Sequence, residues 1–156
     1  MDLKAELLAS ELFSGLPVKL ANEAAALAVE RRFSPGDTLF REAALAEMLF
    51  VVTEGQVRLR MQVRRLRDTM DVDLTTVGPQ QAIGLWALLP PYRYGFTGIA
   101  MTAVACAAMD ARPLRAFLAA NPAMELELSR RCSLILSERL QQTREVLAYE
   151  RALRAI

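Results

Sequence analysis

From Pro122 to the final residue, Ile156, the chain holds neither proline nor glycine after that first proline. Nothing in such a stretch stops a helix, and at about 1.5 Å per residue it makes a rod about 50 Å long. A rod of that length outreaches a small domain. Leu128, Cys132, Ile135, Arg139, Gln142, Val146, Tyr149, Leu153 and Ile156 recur along it at 4-3-4-3 spacing, apolar at both ends and polar in the middle. Leu136, Leu140 and Leu147 form a second apolar row. Two rows point to two packing surfaces, the chain's own body and a second copy. Leu128, Cys132, Ile135, Val146, Tyr149 and Leu153 are thus the candidate contacts of a homodimer. The alternative is one broad stripe against a single body.

Everything before the rod is punctuated differently. Residues 2–16 and 17–30 read as two amphipathic helices, with Leu3, Leu7, Leu8 and Leu12 at helical spacing and Pro17 in a first-turn position. Ser34-Pro35-Gly36-Asp37 is a turn, and short strands follow at 38–41, 48–53, 56–63 and 71–77. Val57, Leu59, Met61 and Val63 alternate with Gln56, Arg58, Arg60 and Gln62, the period-two pattern of a half-buried strand. Glu54-Gly55 reads as a tight hairpin joining it to the strand before, and 64–71 as the solvated tip of another. A strand over 102–109 and a helix over 110–122 complete the order. This is an α+β chain: N-terminal helices, an antiparallel β-roll over residues 1–121, and a long C-terminal helix, 122–156, in the same domain.

Composition narrows the chemistry. The chain of 156 residues has 19 basic and 18 acidic side chains, so no global field draws it to nucleic acid or to an anionic membrane. It has no histidine, which removes the commonest metal ligand and general base. Cys106 and Cys132 stand alone among apolar residues, far from metal-ligand or redox spacing, and read as buried free thiols. No metal and no catalytic residue is expected, and the chain does not read as an enzyme. Asp2 and Glu6 precede any apolar run, and no run approaches the ~18 residues of a membrane span, so the expected location is the cytoplasm. Arg58, Arg60, Arg64, Arg65 and Arg67 make a basic stretch without interleaved aromatics, better suited to a solvated hairpin than to a nucleic-acid surface.

The segment GPQQAIGLWALLPPYRYGFTGIAMTAV, 78–104, is the candidate site. A glycine leads an apolar turn, two prolines stop it, and an arginine precedes the next strand. Read with RRFSPGDTLFRE (31–42), MLFVVTEGQVRL (48–59), AMTAVACAAMD (100–110) and the long helix, the chain resembles the cyclic nucleotide-binding domain. The likeness is to the effector domain of cAMP receptor protein/FNR-superfamily regulators in particular. It covers nearly the whole chain, and the spacing from Gly36 through Gly55 and Gly78 to Gly84 is its most specific part.

The resemblance implies a β-roll whose phosphate-binding cassette cradles a cyclic phosphate on backbone N–H groups. It also implies a glutamate for the ribose hydroxyl and an arginine for the phosphate. On that pattern Gly84 is the cassette glycine, Ala87, Leu88 and Leu89 form the short apolar helix, and Thr97 falls where the family often has Thr or Ser. The sequence departs at both charged positions. Leu85 replaces the glutamate, Tyr94 replaces the arginine, and Arg93 lies one residue early. Trp86, Tyr92 and Tyr94 surround Arg93 in sequence and can line an aromatic pocket or simply pack. The candidate ligand-binding set is therefore Gly84, Leu85, Trp86, Ala87, Leu88, Arg93, Tyr94 and Thr97, and the candidate ligand a cyclic nucleotide, another small anion, or none. The function read from this is a non-catalytic regulatory or sensor domain with a degenerate cassette. The alternatives are a protein–protein or dimerisation module, or the effector part of a longer regulator, since no residues beyond Ile156 are at hand to form a DNA-binding helix-turn-helix.

Overall fold

The computed structural model describes residues 2–155. Two helices, α1 (Leu3–Leu8) and α2 (Val18–Ala25), precede eight strands: β1 (Ala28–Phe33), β2 (Thr38–Phe40), β3 (Met48–Glu54), β4 (Val57–Arg64), β5 (Thr69–Val77), β6 (Ala82–Ile83), β7 (Thr97–Ala100) and β8 (Val104–Asp110). Helices α3 (Ala111–Ala120) and α4 (Pro122–Arg154) close the chain. The strands form two antiparallel four-stranded sheets, ordered β1-β8-β3-β6 and β2-β7-β4-β5. This is the expected roll between N-terminal helices and a long C-terminal helix. Among the described residues, no helix is long and apolar enough to cross a membrane.

The sheets pack face to face over an apolar interior. In β3, Leu49 to Val52 are all fully buried, as a strand covered on both faces should be. Four aromatics run through the roll: Phe33 meets Phe50 edge-on at 6.1 Å, Phe50 stacks with Phe40 at 6.0 Å, and Phe40 stacks on Tyr94 at 4.4 Å. In β4, Val57 and Leu59 point inward while Arg58 and Arg60 point out, as the alternation requires. Asp73 pairs with both arginines, at 3.2 and 2.6 Å, and Asp68 pairs with Arg65 at 2.7 Å. The basic stretch is thus partly neutralised by its own hairpin.

Three sequence expectations need correction. The helix read over 17–30 ends at Ala25, and residues 28–33 form β1, paired in register with β8 from Ala28↔Met109 to Phe33↔Val104. β1 is an edge strand whose four central residues are exposed, so no apolar alternation marks it. The first helix is shorter than 2–16: it ends at Leu8, and the Ser10 hydroxyl donates to the Leu7 carbonyl at 2.6 Å as the chain turns. Glu54-Gly55 is not a hairpin between paired strands, because β3 and β4 lie in different sheets. Gly55 is the crossing point; its φ is +86°, and a Cβ there would lie 2.2 Å from the Ala103 carbonyl oxygen.

α4 runs from Pro122 to Arg154, as the absence of breakers predicts; Ile156, the last member of the 4-3-4-3 row, lies outside the described residues. Leu128, Cys132 and Ile135 are buried in the chain's own core, together with Met124. That overturns their assignment as dimer contacts, since they have no surface left for a second chain. Val146 is half-buried, and Tyr149 and Leu153 are exposed. Both thiols are buried and free, and burial pushes each up to about 12.

Candidate functional site

β6 delivers the chain to Gly84, which adopts the left-handed conformation (φ +78°) and starts a 3₁₀ turn over Leu85–Leu88. A Cβ at Gly84 would sit 3.0 Å from the Met48 carbonyl oxygen and 3.2 Å from the Tyr94 ring, so conformation and space both favour glycine. Ala87 N–H donates to the Gly84 carbonyl at 3.0 Å, closing the turn. The Pro90–Pro91 bond that follows is cis.

The return of the chain to β7 is fastened to the turn after β2. Ala43 N–H donates to the Tyr94 carbonyl (2.8 Å), Tyr94 N–H to the Ala44 carbonyl (3.0 Å) and Ala46 N–H to the Tyr92 carbonyl (2.7 Å). Leu45 and Arg93 face each other in an antiparallel bridge. This short ladder fixes which side chains point into the roll. Tyr94 points in and is buried. Its hydroxyl donates to the Met48 carbonyl at 2.7 Å and accepts from Met48 N–H at 3.1 Å. Burial raises its pKa, so the group stays an O–H donor through the neutral range. Arg93 points out, is exposed, and donates through Nη1 to the Ala43 carbonyl at 3.0 Å.

The remaining predicted site residues divide in the same way. Leu85 and Ala87 are buried in the core, and Leu88 packs against it half-buried. Trp86 lies edge-on to Phe96 at 5.2 Å, with its ring over Gly95, where a Cβ would come within 2.5 Å. Thr97 does not join the cassette. Its neighbours Gly98 and Ala100 face the interior, so Thr97 faces outward, where its hydroxyl accepts the Glu42 N–H at 3.0 Å. The aromatic pocket around Arg93 does not form either: Trp86, Tyr92 and Tyr94 pack in three different places.

The cation beside the aromatics is Arg115, which the sequence reading missed. From α3 its guanidinium stacks on the Tyr92 ring at 3.8 Å, while Nε donates to the Ala87 carbonyl (2.6 Å) and Nη2 to the Ala46 carbonyl (3.2 Å). On α3 it shares one helix face with Ala111 and Leu118. A surface cavity of about 470 Å³ opens beside it, lined in part by Leu45, Met48, Tyr92, Asp110 and Arg112. Gly84 to Leu88 contribute nothing to its lining. Among the described residues no cluster of three or more His, Cys, Asp or Glu is placed to hold a metal.

Two sheets rolled around an apolar interior, a glycine-led turn between short strands and a long C-terminal helix make up the architecture. The match to known proteins is specific: residues 30–121 match the family model of the cyclic nucleotide-binding domain, and the chain belongs to that family. It is 28% identical over 116 residues to the CRP-like cAMP-activated global transcriptional regulator of Mycobacterium tuberculosis, an alignment covering 74% of this chain and 49% of the relative. The chain thus spans about half the length of the curated relatives it matches. Among solved structures, the N-terminal domain of a transcriptional regulator from Streptomyces coelicolor A3(2) is 32% identical, with a TM-score of 0.66 over 90% of this chain and 94% of that one. A protein of Geobacter metallireducens GS-15, provisionally named as cyclic nucleotide-binding, superposes with a TM-score of 0.75 at 24% identity, over 90% and 99% of the two chains. The relatives with assigned roles among these are regulators, not enzymes.

Proposed function

We propose that this chain is a non-catalytic regulatory domain of CRP type in which the nucleotide's place is taken by the protein's own side chains, so that it works without cAMP or cGMP. One observation carries the reading: Tyr94, at the position that in the family carries the phosphate-binding arginine, is buried on the cassette glycine, stacked on Phe40, with its hydroxyl bonded twice to Met48. Leu85 supports it, because a buried leucine accepts no hydrogen bond from a ribose. Losing that charged partner costs about 1.5–3 kcal/mol, and expelling Tyr94 forfeits hydrogen bonds and stacking worth about 2–4 kcal/mol more. Together these weaken nucleotide binding by roughly two and a half to five orders of magnitude. Calorimetric titration with cAMP and cGMP tests this: no heat is expected at millimolar nucleotide, and micromolar binding overturns the proposal.

The output surface we assign is α4, paired with a second copy of the chain. With Leu128, Cys132 and Ile135 used internally, the seam rests on what α4 leaves uncovered: Leu140 and Leu147 of the second row, and Tyr149 and Leu153 at the C-terminal end of the first. Light scattering at tens of micromolar, a concentration suited to weak association, should give the dimer mass for the parent and the monomer mass for Leu140→Glu; a monomeric parent refutes this. The half-length match to a transcriptional regulator favours one further reading, that the domain is the effector part of a longer regulator acting in the cytoplasm. The length of the native reading frame decides it.

A further inference from the structure

Among the described residues, Arg139 is the one charged side chain that is buried. It sits in the middle of α4, where burial lowers its pKa and the Glu11 carboxylate opposes that fall. Its Nη2 lies 3.2 Å from Glu11 Oε1, and the same oxygen accepts the Ala82 N–H at 2.8 Å. Ala82 is the first residue of β6, two residues before the cassette glycine. Glu11 is anchored from its backbone as well, its N–H donating to the Gln80 carbonyl at 2.9 Å. Eight residues earlier in α4, Arg131 donates to the carbonyls of Leu12 and Ser14, so two arginines of one helix face hold the same N-terminal segment.

We propose that Glu11 is a coupling latch: one carboxylate oxygen holds the long helix and the strand entering the cassette at the same time, so displacement of either is felt by the other. Without Arg139, the carboxylate is a partly buried anion lacking its counter-charge. It then turns to water and leaves the Ala82 N–H unpaired. Because coupling of this kind is reciprocal, a partner that shifts α4 loosens the cassette entrance, and a change at the entrance alters the set of α4. The far end of the cassette is gripped separately, by Arg115 of α3 on Ala87 and Ala46. The latch goes beyond the proposed function and does not depend on whether anything binds at the cassette.

Amide hydrogen exchange separates the latch from a merely structural ion pair. Arg139→Met should speed exchange by about tenfold or more at 80–85 as well as along 134–142, with β4 and β8 unchanged. Glu11→Gln keeps an acceptor for Ala82 but loses the charge, so α4 should loosen while Ala82 stays protected. Arg139→Lys should restore protection at 80–85. The proposal is overturned if Arg139→Met leaves 80–85 as protected as in the parent, if its exchange rises equally in β4 and β8, or if Glu11→Gln exposes Ala82 as fully as Arg139→Met does.

Discussion

Tyr94→Phe is the sharpest test of how the roll interior is held. The substitution removes one oxygen and keeps the ring, so the stack on Phe40 at 4.4 Å and the contact with Gly84 persist. What is lost is a hydroxyl that gives one hydrogen bond and takes another, at 2.7 and 3.1 Å, on a residue only 6% exposed. Both partners are Met48 backbone groups, and leaving them unpaired away from water costs about 1–3 kcal/mol. For a chain of this length each kcal/mol lowers Tm by about 2–4 °C, so a mid-range loss of about 2 kcal/mol lowers it by about 4–8 °C. Thermal unfolding of parent and variant at one protein concentration reads this directly, with concentration held fixed because association would raise Tm. A Tm within about 1 °C of the parent would refute the reasoning, since it would mean that the hydroxyl is wet or unbonded. The interior could then open at little cost, and the closed-site reading would lose its support.

Two further outcomes follow from the same packing. Gly95→Ala places a Cβ within 2.5 Å of the Trp86 ring; the expected result is a loss of about 1–3 kcal/mol and a changed emission spectrum from Trp86, the single tryptophan, whereas an unaltered spectrum and Tm would mean the ring lies elsewhere. Burial raises Cys106 and Cys132 from 9.0 to about 12, so both should resist a disulfide reagent at pH 8 in the native state and react in urea; rapid native labelling contradicts this. The sign for stability is fixed by the same shift. The native thiols keep protons that the unfolded ones release, so stability is full below pH 9 and falls towards pH 12, by about 1.4 kcal/mol per pH unit for each thiol.

How much of this was legible in the sequence depended on whether a residue's role is local. α4 was legible because helix continuity needs only the absence of breakers. β4 was legible because one face meets water, and Gly84 because a left-handed turn leaves few substitutes. β1 was hidden because it is an edge strand with a solvated middle, and the Glu54-Gly55 crossing because a hairpin and a crossing use the same turn residues. Leu128, Cys132 and Ile135 were misassigned to a dimer because periodicity says that a stripe is buried, not by which body. Glu11 and Arg115 were missed because their partners lie 71 and 28 residues away in the chain, a separation no local pattern carries.

The two departures in the cassette are best understood together. Arg93 and Tyr94 are neighbours, so one must point in and the other out. The backbone bonds from Ala43, Ala44 and Ala46 set that choice. Slipping the loop by one residue would bring Arg93 inward, but it would break those bonds, expel an aromatic ring and bury a guanidinium. With Leu85 where a carboxylate would stand, that cation would have no counter-charge, and burying it unpaired is more costly than burying a tyrosine hydroxyl that finds two partners. Leu85 in turn suits the closed interior, because a glutamate at that buried position would be an anion without a counter-charge. Each replacement removes the penalty that the other would otherwise carry. On the proposed reading, an interior closed on Phe40 and Met48 is therefore a consistent alternative to a nucleotide site, not a nucleotide site with one defective residue.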